Sequence, residues 1–298
     1  MTPSQPHPTT ILAGYEGWLS RQPLAANTRR AYLTQARQFC SFLEESPDVY
    51  HDALVDARAR DYAVRDYKTH LKTVRKLKPT TVNLALAALD HFYSFLHLGQ
   101  AAVQREALPQ QAPRALNPAE QKAFRRAVER CSSIRDRAVA VLLFFTGIRV
   151  GECSSLDVGD VLTSARKGKI IVRSGKGDAY REVPLNSEAR EACRAWAAER
   201  KRQFGGTQEQ AFFLNRTGSR LSTRAIDLLL RKIGADAGLA LSAHVLRHTC
   251  LTSLVRRGND LILVAEIAGH RRLETTRRYS LPTEQDRAAA MEALRIDY

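Results

Sequence analysis

No uninterrupted apolar run reaches the roughly 18 residues that a membrane-crossing helix needs, so nothing in the chain is expected to span a bilayer. The opening residues are polar, with neither the basic start nor the apolar middle of a secretory leader, and a cytoplasmic location is expected. Cys40, Cys131, Cys153, Cys193 and Cys250 are scattered and odd in number, and no CxxC pair occurs. That argues against a disulfide framework and a structural zinc site, and each thiol is read as a small buried apolar group. A phosphate-binding P-loop, a carboxylate cluster, internal repeats and low-complexity tracts are also missing.

What is present is length, apolar content and basic charge. With 298 residues, 44% of them apolar, the chain can build two domains, each with its own core. Lys and Arg number 46 against 31 acidic residues, a net charge of +15, which favours a polyanionic partner. The excess is uneven: residues 1–106 hold 13 basic and 10 acidic side chains, residues 107–298 hold 33 and 21. Nucleic acid is the first reading of that charge, with an anionic membrane surface or plain solubility as the alternatives.

The first hundred residues read as helices without strand-like alternation. Asn27 and Thr28 offer a cap for a helix carrying Tyr32, Phe39, Phe42 and Leu43 on one face. A second helix is expected over Asp61–Val74. A third follows Pro79, with Thr80 and Thr81 as cap, and stops at Gly99. Domain boundaries are set at 1–106, 107–116 and 117–298, the middle piece being a proline-containing linker. Asn117 followed by Pro118 opens a new helix, and residues 134–146 form a buried one that Gly147 ends. Lys169–Arg173 and Tyr180–Pro184 flank a glycine-rich turn as a hairpin, and Ala211–Leu214 is a candidate third strand. The remaining helices are placed at about 188–204, 222–237, 243–257, 260–268 and 284–296. The fold class is therefore mainly α with a small β-hairpin or sheet.

Four stretches carry polar residues that folding alone does not require. Arg149 follows the glycine closing a buried helix, with Glu152 in reach, either as a local ion pair or as part of a site. Lys176 stands between Gly175 and Gly177 at the hairpin tip, either simply solvated or brought close to a phosphate. His244, Arg247 and His248 share one helical face; Val245 stands where a zinc protease needs glutamate, and the cation and imidazoles suit an oxyanion better than a metal. Tyr279 closes the last stretch, which contains His270. Its phenol attacks only where cations stabilise the phenolate and the receiving phosphate.

Together these stretches resemble the tyrosine site-specific recombinases, the phage integrase family that includes the Xer proteins and Cre. Arg149 and Glu152 match the family's arginine motif, Lys176 its hairpin lysine, and His244, Leu246, Arg247 and His248 its H-x-L-R-H box. Gly269, His270, Thr275, Thr276 and Tyr279 match the closing motif, with Ala268 in place of the usual leucine. The N-terminal part is similar to the family's SAM-like core-binding domain, through Asn27, Thr28, Tyr32 and Phe39 and then Thr81 and Asn83.

The resemblance implies site-specific recombination of double-stranded DNA through a 3′-phosphotyrosyl intermediate and a Holliday junction, without metal, ATP or other cofactor. It makes Tyr279 the nucleophile, Arg149 and Arg247 the phosphate ligands and Lys176 the general acid. His244 would help move the tyrosine proton, His270 would bond the phosphate, Glu152 would orient an arginine, and His248 would stand behind them. It also implies a homotetramer on two DNA sites, with a monomer or dimer off DNA and room for an accessory factor or partner recombinase. The helix at 284–296 would dock on a neighbouring protomer. Arg75, Lys76, Lys78, Arg220, Arg224 and Arg231 are further candidates for DNA contact. Two rival readings use the same residues: a type IB topoisomerase-like enzyme, and a DNA-binding architectural protein without catalysis. The absence of an arm-binding N-terminal domain leans towards a Xer-like or transposon enzyme.

Overall fold

A computed structural model describes residues 8–108, 113–173, 180–270, 272–281 and 284–292. The chain divides into two compact units, Met1–Pro109 and Gln110–Tyr298. The first holds α1 (Pro8–Ser20), α2 (Ala26–Glu44), the single turn α3 (Pro47–Tyr50), α4 (Ala57–Thr73) and α5 (Pro79–Phe95).

Aromatic rings fill the first core. Tyr15 meets Phe92 edge-on with centroids 5.0 Å apart, and Phe39 meets Tyr67 in the same way at 5.1 Å. The Tyr93 hydroxyl donates to the Ala53 carbonyl at 3.0 Å, so its polar end is satisfied inside the core. Helix starts depart from the sequence reading. Asn27 and Thr28 lie within α2, whose N-cap is Ala25, and Thr80 and Thr81 follow Pro79 inside the first turn of α5. Helix α4 begins at Ala57 rather than Asp61, because the Asp56 carboxylate accepts the N–H groups of Arg58 and Ala59, both at 2.8 Å. Helix α5 ends at Phe95, short of Gly99, and the chain turns through left-handed conformations at His97 and Gly99.

The second unit is mostly helical around one small sheet. In order come α6 (Pro118–Arg130), α7 (Ile134–Thr146), α8 (Val150–Ser155), β1 (Val161–Thr163), β2 (Gly168–Val172) and β3 (Arg181–Pro184). There follow α9 (Ser187–Phe204), α10 (Thr223–Asp236), α11 (Ala243–Arg256), α12 (Leu261–Ala268), α13 (Leu273–Arg277) and α14 (Glu284–Glu292). Asn117 and Glu120 cap α6 reciprocally, each side chain accepting the other's backbone N–H at 2.9 Å. Buried along most of its length, α7 packs on α9 and α11. Cys40, Cys153, Cys193 and Cys250 are buried and Cys131 partly so, and all five are free thiols.

The sheet is antiparallel in the order β1-β2-β3, with Ile170 opposite Val183 and Val172 opposite Arg181. Its third strand is β1, which the sequence reading did not foresee. Ala211–Leu214 instead makes only isolated bridges, Ala211 to Asp157 and Leu214 to Arg220, since its side chains are all buried and its backbone runs outside the ladder. Residues 174–179, Lys176 among them, lie outside the described residues.

Gly147 ends α7 in the left-handed region at φ 61°, and a Cβ there would stand 3.2 Å from Cys250 Cβ and Sγ. Gly147→Ala is expected to destabilise the second unit by about 1–2 kcal/mol. Urea denaturation in a Trp18→Phe background, where Trp196 alone reports, measures this; an unchanged midpoint would contradict it.

Candidate active site

Two helix C-termini converge on a group of arginines. The carbonyls of a final helical turn have no partner within the helix and carry partial negative charge, so they suit guanidinium donors. Arg247, on α11 and only 4% exposed, donates to the Gly147 carbonyl at the end of α7 and to the Ala268 carbonyl at the end of α12, the latter at 2.8 Å. Arg149 reaches the same α12 terminus through the carbonyls of Ala268 at 3.4 Å and Gly269 at 3.3 Å. Its side chain remains 38% exposed and open to a ligand. Burial, and then the charge of Arg149, lower the pKa of Arg247 to about 10, still well above neutrality.

Glu152 supplies the negative charge in this group. Its side chain is 3% exposed and accepts Arg149 Nη1 at 2.9 Å and the Arg149 N–H at 2.7 Å. Arg181, on β3, binds the same carboxylate through both Nη atoms, at 3.0 and 2.8 Å. Burial opposes ionisation of Glu152, but the hydrogen bonds from Arg181 and Arg149 outweigh it and hold the carboxyl below its ordinary range. Arg181 also donates through Nε to the Ile267 carbonyl at 3.0 Å.

The imidazoles around the tyrosine are neutral. His270 Nε2 lies 2.9 Å from Arg247 Nη2 and its Nδ1 lies 2.8 Å from Thr276 Oγ1. Arginine can only donate, so Nε2 accepts and Nδ1 carries the proton that it gives to Thr276. Tyr279 is 5% exposed, its ring stacked 6.0 Å from that of His270 and tilted at 45° to that of His248, 5.5 Å away. Its Oη lies 3.1 Å from His248 Nδ1, and the positive charge of Arg247 acts on it. A phenol can donate its one proton to a neutral imidazole nitrogen at such a distance. Burial raises the Tyr279 pKa, and the cations Arg247, Arg278 and Arg149 pull against it. His248 is lowered to about 4 by burial and then by Arg278, His244 and Arg247. His270 falls to about 4 through burial and then Arg247, Arg149, Arg181 and Arg278.

A family model described as the phage integrase family matches residues 114–286. Tyrosine recombinase XerC of Roseiflexus castenholzii is 32% identical over 281 residues, covering 86% of this chain and 83% of the relative. The chain belongs to the phage integrase family. It is a tyrosine recombinase, an enzyme of site-specific DNA recombination. Solved structures share the fold. That of XerH site-specific recombinase bound to palindromic difH substrate, in a post-cleavage complex, matches with a TM-score of 0.69 at 22% identity, covering 98% of both chains. That of a lambda integrase tetramer bound to a Holliday junction matches with a TM-score of 0.66 at 15% identity, covering 93% of this chain and 79% of that one.

Of the residues singled out in the recombinase's sequence, the structure brings together Arg149, Glu152, Arg247, His248, His270 and Tyr279. The histidine at the tyrosine hydroxyl is His248, not His244. His244 lies one helical turn earlier, exposed, with its ring stacked 6.1 Å from that of His248. Arg181 escaped the sequence reading, since an arginine in a short strand carries no signal of its partner. Arg75, Lys76 and Lys78 stand exposed between α4 and α5, and Arg224 and Arg231 stand exposed on α10. Arg220 is differently placed: it donates to Asp157 at 2.6 Å and to the Ser154 carbonyl at 3.0 Å, tying down the segment after α8.

The two lowered histidines make the fold acid-sensitive. An unfolded chain protonates both near their ordinary 6.5, whereas the folded one resists until about 4. The unfolded state binds more protons between those values, so stability is complete above the upper one and declines as pH falls through the window. The expected loss is on the order of 1–3 kcal/mol per imidazole. Thermal melts at about pH 7 and about pH 4.5 should show this drop, reduced in a His248→Gln/His270→Gln double variant. An equal drop in both proteins would assign the effect elsewhere.

Proposed function

We propose that this recombinase cleaves one strand of duplex DNA by attack of Tyr279 Oη on a scissile phosphate, forming a 3′-phosphotyrosyl bond and releasing a 5′-hydroxyl. The observation that carries this reading is the phenol of Tyr279 3.1 Å from His248 Nδ1 and under the positive charge of the buried Arg247. Arg149 and Arg247 bind the non-bridging oxygens, where forked donors match phosphate geometry and offset the charge of the transition state. His248 takes the phenolic proton as the bond to phosphorus forms. Burial, and then the cations beside it, make it a weak base, and the incoming phosphate's negative charge opposes the cations' share of that effect. The base thus strengthens when its substrate arrives. Through Nε2, His270 holds Arg247 in place, and Lys176 protonates the departing 5′-oxygen. The phosphotyrosyl link conserves the energy of the broken bond. A 5′-hydroxyl from a second duplex then attacks it, passing through a Holliday junction.

The first unit is assigned to DNA binding, with the exposed Arg75, Lys76 and Lys78 on phosphates, and the second to catalysis. Incubation of the full chain with nicked duplexes of randomised core sequence is expected to yield adducts that survive denaturing electrophoresis. These should be absent with Tyr279→Phe. Adducts formed by that variant would overturn the nucleophile assignment. Duplexes recovered this way supply the substrate for strand exchange. Relaxation of a supercoiled plasmid without exchange would favour the topoisomerase-like reading, and binding without adducts the architectural one.

Assembly is assigned to four protomers on two duplexes, with α14 docking on a neighbour. Met291 on α14 is 67% exposed, and the contact of that helix with its own unit includes an exposed ion pair, Arg256 to Asp286 at 2.7 Å. Such a pair contributes less than about 1 kcal/mol. Truncation after Pro282 is expected to weaken tetramers on paired sites at least about tenfold while single-site affinity changes less than about threefold. Equal assembly by the truncated and intact proteins in sedimentation velocity would defeat the assignment.

A further inference from the structure

Arg181 belongs to none of the groups assigned to the phosphate or the tyrosine, yet its environment is among the most specified in the second unit. Its side chain is 10% exposed, and all three guanidinium nitrogens have partners: both oxygens of Glu152 and the Ile267 carbonyl. Space for it is reserved by Gly269, where an added Cβ would fall 2.8 Å from Arg181 Nη1. Gly269 stands at φ 63°, a conformation that already favours glycine, so two independent constraints select the same residue.

Charge gives the arrangement a purpose. Glu152 bears one negative charge in a buried position and touches Arg149, the more exposed of the two phosphate-binding arginines. With Arg149 as its sole partner, the carboxylate would cancel the very cation that must meet the scissile phosphate. With Arg181 on the same carboxylate, Arg149, Arg181 and Arg247 face a single acidic group and two positive charges remain. At separations of a few ångströms in a poorly solvated site, one unit of charge is a large electrostatic difference.

We propose that Arg181 is a positioning residue for strand cleavage: it neutralises Glu152, so that Glu152 orients Arg149 without discharging it. The proposal rests on the assignment of Arg149 to the phosphate. Arg181 need not touch DNA, and its effect falls on the chemical step, where negative charge accumulates on phosphorus, more than on binding.

The test uses the full-length chain and a duplex recovered from the randomised pool, in single-turnover cleavage. Arg181→Gln is expected to slow cleavage at least about tenfold, with duplex affinity changed by less than about threefold. Arg181→Lys keeps the charge but not the bidentate fork, and should recover a clear part of the rate that Arg181→Gln loses. Glu152→Gln added to Arg181→Gln removes the unopposed carboxylate and should recover most of the loss. A methylphosphonate at the scissile position removes one negative charge from the reacting group, so the penalty of Arg181→Gln should shrink there to about threefold or less. A purely structural role predicts the same penalty on both substrates, and that result would overturn the proposal. So would Arg181→Lys as slow as Arg181→Gln, or a double variant slower than the single one. Melting curves establish which variants are folded at the assay temperature; if Arg181→Gln is not, Arg181→Lys and the double variant carry the comparison. Failure of the parent chain to form a Tyr279 adduct would defeat the functional reading instead, so the two failures are distinguishable.

Discussion

Like-charged guanidinium groups repel, and a phosphate site needs several of them in one place before the phosphate arrives. The second unit meets this constraint with backbone. Helices α7 and α12 both end in left-handed glycines, Gly147 and Gly269, and the carbonyls near those ends take donors from Arg247, Arg149 and Arg181. Partial charges at helix C-termini can hold a cation without neutralising it. A full carboxylate appears only as Glu152, shared between two arginines. The resulting centre is cationic, with each guanidinium held by several hydrogen bonds. Little reorganisation then remains for the moment of reaction, which is how electrostatic stabilisation becomes effective.

The same constraint explains why the two histidines beside the tyrosine are uncharged. Imidazoles placed among arginines and removed from water lose their protons, and both His248 and His270 are held near 4. Neutrality gives each ring a fixed division of labour. His270 accepts from Arg247 and donates to Thr276, which is fully buried and belongs to the turn leading to Tyr279. One hydrogen-bonded line therefore runs from Arg247 to the segment carrying Tyr279. On the proposed mechanism, the phenol stays protonated until a phosphate shifts the local field. Nucleophile, base and electrophile are then activated together.

Much of this was legible in the sequence, because the information lay in short-range spacing. Asn117, Pro118 and Glu120 announce their helix, and Gly147 marks the end of an apolar segment. His244, Arg247 and His248 share a face by helical geometry alone. Which histidine meets Tyr279 was not legible, since one turn of α11 separates them and only the approach of residues 273–279 decides between them. Helix starts differ where no side-chain cap is needed: the N-caps of α2 and α5, Ala25 and Lys78, make no side-chain cap bond, while Asp56 caps α4 ahead of the expected start. Strand β1 went unseen because three residues give no period to read. Arg181 was hidden for a deeper reason: its partners, Glu152 and the Ile267 carbonyl, are 29 and 86 positions away.

That distance has a structural consequence. Arg181 is the first residue of β3 and pairs with Val172, the last of β2, so it stands where the hairpin enters the sheet. Its main chain fixes the strand register while its side chain is bound to Glu152 and the end of α12. A one-residue slip would turn the guanidinium to the opposite face of the sheet and leave Glu152 buried with a single partner, an expensive arrangement. Ile170 and Val172 belong to the core cluster of the second unit while Ile171, though buried, does not, and exchanging those places opposes the same slip. Core packing and site electrostatics therefore select one register. The segment bearing Lys176 departs from Arg173 and returns at Tyr180 from anchor points set by that register. The hairpin and the arginine centre are one construction, because a single side chain belongs to both.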